Sequence, residues 1–199
     1  MSAVVIQADQ VAAQAWRNGG GQTRELLAWP NANDWKLRIS RADIASDGPF
    51  SAFAGVQRWF VVISGKGVVL HMPTVDGHTL DHHLCPGHVP LHFDGGLAPG
   101  CSLIDGATQD LNLMARGGMA RMQAVDADQT WSADFAMRGL YTACGGVWSD
   151  GVDRVVLPAN SLLWLADAGA PPKAAFRFIA IDTEPTRAWW LGYTPDPTP

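Results

Sequence analysis

A chain of 199 residues and 21.3 kDa, 47% of them hydrophobic, can pack one domain or two small lobes sharing a core. A net charge of −5 and only three lysines, Lys36, Lys66 and Lys173, exclude a nucleic-acid footprint and a polybasic membrane patch. With 21 Gly, 13 Pro and 9 Trp and only 17% charged residues, the composition favours short strands and turns over a helical bundle.

In chain order, Ala3 to Ala8 reads as a strand, and Arg24 to Trp29 as a second, closed by Pro30-Asn31-Ala32-Asn33. Trp35 to Ile44 alternates, with Trp35, Leu37 and Ile39 on one face and Lys36, Arg38 and Ser40 on the other. Trp59 to Ser64 is a nearly continuous apolar run, expected to be buried on both faces. Gly65-Lys66-Gly67 is expected to turn it into a hairpin with Val68 to Met72. Pro73 to Gly87 reads as a polar loop carrying His78, His82 and His83. Val89 to Phe93, Ser102 to Asp105 and Asp110 to Ala115 follow as strands, and Gly117-Gly118 marks a seam. Beyond it, strands are expected at Met119 to Val125, Leu140 to Cys144, Gly146 to Trp148, Val152 to Leu157, Ser161 to Leu165 and Ala175 to Ile181. Asp167 to Lys173 reads as a loop, and Glu184 to Pro199 as a tail with an exposed Trp189-Trp190-Leu191. The chain is therefore expected to be all-β, a sandwich or barrel.

Cys85, Cys101 and Cys144 form no C-x-x-C pair and read as reduced thiols. The opening residues lack a signal-peptide pattern, and no apolar run approaches the roughly 18 residues a spanning helix needs. The expected location is the cytoplasm.

The stretch Trp16-Arg17-Asn18-Gly19-Gly20-Gly21-Gln22-Thr23 invites a functional reading. Three consecutive glycines are costly in a regular element and mark a sharp bend or a close approach. Two readings stay open: a plain hairpin turn, or a bend that brings main-chain N–H groups to the edge of a ligand pocket.

Polar residues on otherwise apolar strands form a second signal. Arg38 and Ser40 share one strand face; Asp110, Asn112 and Met114 share another, and Arg58 heads the apolar run. Burying them costs free energy unless each is paired, so an internal Arg–Asp pair is one account. The other is a pocket for a small anionic or amide-bearing ligand, since a guanidinium fork can hold a carboxylate. Asn18, Thr23, Ser51 and Asn112 would then supply neutral donors and acceptors, and Trp16 and Phe50 apolar walls. The candidate ligand-binding set is Trp16, Asn18, Gly19, Gly20, Thr23, Arg38, Ser40, Phe50, Ser51, Arg58, Asp110 and Asn112.

Four blocks in register resemble the HutD/Ves family. They are the Trp16–Thr23 stretch; Trp35–Ser40 with Asp47-Gly48-Pro49-Phe50-Ser51 and Gly55-Val56-Gln57-Arg58; His92-Phe93-Asp94-Gly95; and Gly106 with Asp110–Met114. The resemblance implies a cupin-type double-stranded β-helix in two lobes, a bicupin, over residues 1–115 and 116–199. It also implies a link to histidine utilisation, as a non-catalytic regulatory or accessory protein that binds a small pathway metabolite. A cupin-type isomerase, hydrolase or oxygenase is the alternative.

Many cupins carry a metal, held by two histidines one residue apart, a nearby glutamate and a later histidine. Here no His-x-His occurs among His71, His78, His82, His83, His88 and His92, and no glutamate lies between Glu25 and Glu184. No metal or cofactor is expected. No G-x-S-x-G elbow occurs, and the Gly run lacks the Lys-Ser/Thr ending of a P-loop. The partner expected is a small metabolite; the two tail tryptophans are expected to cover either the barrel or a partner in a homodimer.

Overall fold

A computed structural model describes residues 3–126, 129–165, 175–181 and 187–197. The loop expected at Asp167 to Lys173 lies outside them. The described chain is all-β apart from two short 3-10 turns, and none of its helices is long and apolar enough to cross a membrane. In order the strands are β1 (Ala3–Gln7), β2 (Gln14–Ala15), β3 (Gly21–Trp29), β4 (Leu37–Ile44), β5 (Gly48–Pro49) and β6 (Gln57–Ser64). Next come β7 (Val68–Pro73), β8 (Thr79–Leu84), β9 (Leu91–Asp94), β10 (Gly100–Leu103), β11 (Thr108–Ala115) and β12 (Met119–Ala124). The last are β13 (Met137–Thr142), β14 (Gly146–Ser149), β15 (Arg154–Leu157), β16 (Ser161–Leu165), β17 (Arg177–Ala180) and β18 (Ala188–Thr194).

The chain divides into two compact units, one of Ala12–Gly117 and one of Met1–Val11 with Gly118–Pro199. A boundary drawn at 115 puts the first strand with the first half. Instead β1 pairs antiparallel with β16, so it belongs to a sheet of the second half.

In the Ala12–Gly117 unit, a six-stranded sheet runs β2-β3-β4-β11-β6-β9 and a four-stranded sheet runs β5-β10-β7-β8. Ile44, Phe60, Val62 and Phe93 from the first meet Val68, Leu70, Leu84 and Cys101 from the second in one buried cluster. The apolar run at β6 is buried on both faces, as its composition requires, with Val61, Val62 and Ile63 each about 1% exposed.

Two expectations fail here. Gly65-Lys66-Gly67 does not close a hairpin, because β6 pairs with β11 and β9 while β7 pairs with β10 and β8. The glycines turn the chain from one sheet to the other. Both have positive φ, and a Cβ on Gly67 would lie 2.2 Å from the carbonyl oxygen of Leu84. Nor is Pro73 to Gly87 a loop, since Thr79–Leu84 is an edge strand paired with β7. Polar residues are what an edge facing water selects, so Thr79, Asp81 and His83 conceal the strand.

The other unit pairs a five-stranded sheet, β1-β16-β13-β18-β12, with a three-stranded sheet, β15-β14-β17. The expected tail contains a central strand of that larger sheet. Trp189, Trp190 and Leu191 lie on β18 between β13 and β12, buried rather than displayed to a partner.

Candidate functional site

Register on three central strands of the six-stranded sheet assembles the site. Antiparallel pairing puts Arg38, Met114 and Arg58 in one row, Ser40, Asn112 and Phe60 in the next, and Ala42, Asp110 and Val62 in a third. A register shift between Gln109 and Asp110 breaks the ladder at the third row, and another lies between Glu25 and Leu27 on β3. Such irregularities re-aim side chains beside sites.

All of these but Phe60 and Val62 wall a cavity of about 530 Å³. Arg38, Ser40, Arg58, Asp110 and Asn112 line it from the sheet, Phe50 and Ser51 from the segment after β5, and Trp16, Asn18 and Thr23 from the β2–β3 hairpin. Ten of the twelve candidate residues therefore share one space. Arg17, Phe53 and Met114 also line it. Arg17 carried a signal, its place beside Asn18, whereas Phe53, whose N–H is given to the carbonyl of Gly95, carried none.

Gly19 and Gly20 do not line the cavity. Gly19 donates its N–H to the Trp16 carbonyl (3.0 Å) and Gly20 to Asn18 Oδ1 (3.0 Å), so neither amide is offered to a ligand. The run is a hairpin turn, with Gln14 opposite Thr23 and Ala15 opposite Gln22. Gly21 is required by crowding, because a Cβ there would lie 2.3 Å from the Asp43 carbonyl oxygen and 3.0 Å from the Trp16 ring. The turn thereby sets the Trp16 wall, and Trp16 Nε1 donates to Thr23 Oγ1 at 2.7 Å.

The polar floor is a relay rather than a direct Arg–Asp pair. Arg58 donates from Nε to Asn112 Oδ1 (2.8 Å), and Asn112 donates from Nδ2 to Asp110 Oδ1 (2.5 Å). Asp110 Oδ2 has no hydrogen-bond partner among the described residues, in a side chain about 1% exposed. Arg58 lies over Phe50 (4.3 Å to the ring centre), with Phe93 and Phe60 at 5.6 and 5.9 Å. Its terminal nitrogens make no hydrogen bond among the described residues, while Arg38 is tied from Nε to Glu25 (2.8 Å).

Burial dominates the electrostatics. It lowers Arg58 to about 10, against the pull of Asp110, so the guanidinium stays cationic at neutral pH. Burial also raises Asp110 to about 7, although Arg58 and the Asn112 hydrogen bond oppose this and Asp43 adds to it. Among the described residues, the cavity lining contains three arginines, one carboxylate, no histidine and no glutamate. That donor set suits an anion and does not fit a resident divalent cation of the cupin kind. Among the described residues, no three His, Cys, Asp or Glu side chains group as a metal site.

One other polar chain crosses the outer face of the smaller sheet. His71 Nδ1 meets Asp81 Oδ1 at 2.7 Å, and His71 Nε2 meets Ser102 Oγ at 3.0 Å. This is the connectivity of a nucleophile, base and orienting acid. Ser102 nonetheless sits in mid-strand, and the next N–H, of Leu103, is given to Asp47 Oδ1 (2.8 Å) rather than left for an oxyanion.

The HutD family model matches residues 8–176. The chain belongs to the HutD family. It is 31% identical over 187 residues to Protein Ves of Citrobacter koseri, covering 91% of this chain and 92% of that protein. Protein Ves of Cronobacter sakazakii is 33% identical over 150 residues, 75% of this chain and 80% of the relative. Among solved structures, HutD from Pseudomonas fluorescens SBW25, in a formate condition, superposes with a TM-score of 0.81. It is 26% identical over 97% of this chain and 98% of its own. A Bacillus subtilis oxalate decarboxylase mutant, at 9% identity, covers 98% of this HutD-family chain and 78% of its own, with a TM-score of 0.63, and shows the cupin-like fold alone.

Proposed function

We propose that this HutD-family chain is a non-catalytic binding protein whose cavity takes a small carboxylate- or amide-bearing metabolite. One observation carries the reading: a buried guanidinium lines the cavity with its terminal N–H groups making no hydrogen bond among the described residues. A planar fork of this kind is suited to a carboxylate or carbonyl oxygen, and the desolvated setting strengthens each bond. Ser51 and Asn18 would complete the polar rim, and Trp16 and Phe50 would cover the apolar part of the ligand. The HutD relative supports a role in amino-acid catabolism, that of histidine, where such binding would be regulatory or accessory. In this reading the two units, each with a larger and a smaller antiparallel sheet, are the lobes of a bicupin.

Thermal-shift and calorimetric titration against formate, histidine, urocanate and N-formyl amino acids tests the proposal. A ligand present at 100 times its dissociation constant is expected to add about 2.7 kcal/mol of apparent stability. Arg58→Ala is expected to abolish that gain, and Arg38→Ala to weaken it through the loss of its hold on Glu25. Unchanged binding in both variants would overturn the assignment. A second reading, an enzyme on the same fold, draws on the Asp81–His71–Ser102 chain; its exposed setting and the commitment of the neighbouring Leu103 N–H to Asp47 make it the weaker one.

A further inference from the structure

The relay beneath Arg58 leaves one atom unexplained. Asp110 Oδ1 is satisfied by Asn112, whereas Oδ2 of this cavity-lining residue is buried with no hydrogen-bond partner among the described residues. A buried, unpaired carboxylate oxygen is costly as an anion and becomes a donor when protonated. Extending the anion-binding reading of this cavity, we propose that an incoming carboxylate is captured together with a proton. Asp110 enters the complex as the neutral acid and donates from Oδ2 to the ligand's oxygen, opposite the Arg58 fork. The proton comes from solvent, the ligand keeps its charge, and no covalent bond changes.

The charges around Asp110 support the direction. Arg58 on β6 is the cation that favours ionised Asp110; its charge acts through space, and its hydrogen-bond link to the carboxyl runs through Asn112. From β4, Arg38 is committed to Glu25, and Asp43, which disfavours ionisation, is held by Gln22 (2.7 Å), Arg24 (3.1 Å) and Gln109 (2.7 Å). From β10, Cys101 is pushed up to about 12, chiefly by burial, and stays a neutral thiol. Without ligand, the carboxyl titrates near 7. A second negative group beside Arg58 competes for that cation, displaces water and repels the carboxylate. All three effects push the group further up, so binding takes up a proton wherever the free protein has lost it.

A ligand that offers an N–H or ammonium to Oδ2 would do the reverse and favour the ionised form. The sign of proton exchange therefore discriminates between the two ligand chemistries.

The test uses formate as the probe on the full chain, with affinity measured by calorimetry in paired buffers of different ionisation enthalpy. Between about pH 5.5 and 8.5 formate itself stays ionised, so any slope belongs to the protein. The dissociation constant is expected to be flat in acid and to rise towards tenfold per pH unit above about 7, with matching proton uptake. In Asp110→Asn, an amide of the same shape that cannot titrate, slope and uptake are expected to vanish whatever the affinity. Formate binding in the wild type without slope or uptake, or a slope that survives in Asp110→Asn, overturns the coupling and leaves the site standing. No formate binding at any pH sinks the anion site and the coupling together.

Discussion

The two units use the inner face of their larger sheets in opposite ways. Across β16, β13 and β18 the facing rows read Leu165, Arg138, Gly192; Leu163, Leu140, Trp190; and Ser161, Thr142, Ala188. Across β4, β11 and β6 they read Arg38, Met114, Arg58; Ser40, Asn112, Phe60; and Ala42, Asp110, Val62. Each set places an arginine over a phenylalanine at 4.3 Å, Arg138 on Phe176 and Arg58 on Phe50. In the first unit that ring is walled by aromatics: Trp131 stacks on Trp190 at 5.3 Å and Trp148 meets Phe176 edge-on at 5.1 Å. In the second, the arginine faces an open polar cavity. One interior is filled with rings and the other is left unfilled. Buried polar atoms without a hydrogen-bond partner among the described residues occur in both units, Ser161 Oγ and Trp164 Nε1 in the filled one, but only in the open one is such an atom, Asp110 Oδ2, a carboxyl oxygen.

Strand glycines are how the filled unit fits its rings. A Cβ on Gly146 would lie 2.1 Å from the Phe178 ring, one on Gly192 2.2 Å from Phe135, and one on Gly139 2.4 Å from Trp164. Removing a ring should therefore leave a true void. Trp190→Ala is expected to cost about 3–5 kcal/mol by chemical denaturation, the largest effect foreseen. A loss under about 1 kcal/mol would mean that this interior is no better packed than the open one.

The open unit should show its cost in the pH dependence of stability. Asp110 has a folded value near 7, above the ordinary carboxylate range, so the folded state holds a proton that the unfolded chain has released. Stability should be fullest below the unfolded value and fall as pH rises through about 4 to 7, by up to ~1.4 kcal/mol per unit, then level off. Asp110→Asn should remove that slope. Equal slopes in urea titrations of both proteins would show that Asp110 is not the group responsible.

Much of this contrast was legible in the sequence. Arginine, serine, asparagine and aspartate in alternating positions on apolar strands betray a polar inner face, and period two alone put Asp110 beside Asn112. The relay was not legible, because it depends on which residues of β4, β6 and β11 stand opposite one another. The Gly run misled for a different reason. Glycine signals a backbone need without saying whether it is crowding, as at Gly21, or a site. Edge strand β8 and central strand β18 were missed from opposite causes. One is too polar to look like a strand, and the other lies between prolines and resembles a tail.

The smallest expected effect separates residue type from setting within the open unit. Asp81, His71 and Ser102 are joined by hydrogen bonds of 2.7 and 3.0 Å, well within normal range, yet they lie on a water-facing sheet. His71 and Asp81 have side chains 36% and 51% exposed, so solvent competes for each bond and weakens the field a nucleophile would need. Ser102→Ala and His71→Ala are each expected to change stability by less than about 1 kcal/mol and to leave any hydrolysis of p-nitrophenyl acetate at the wild-type rate. A rate that collapses in both variants, with a fluorophosphonate label on Ser102, would locate chemistry on the outer face. It would also break the inference that burial, rather than the mere juxtaposition of polar groups, marks where this protein acts.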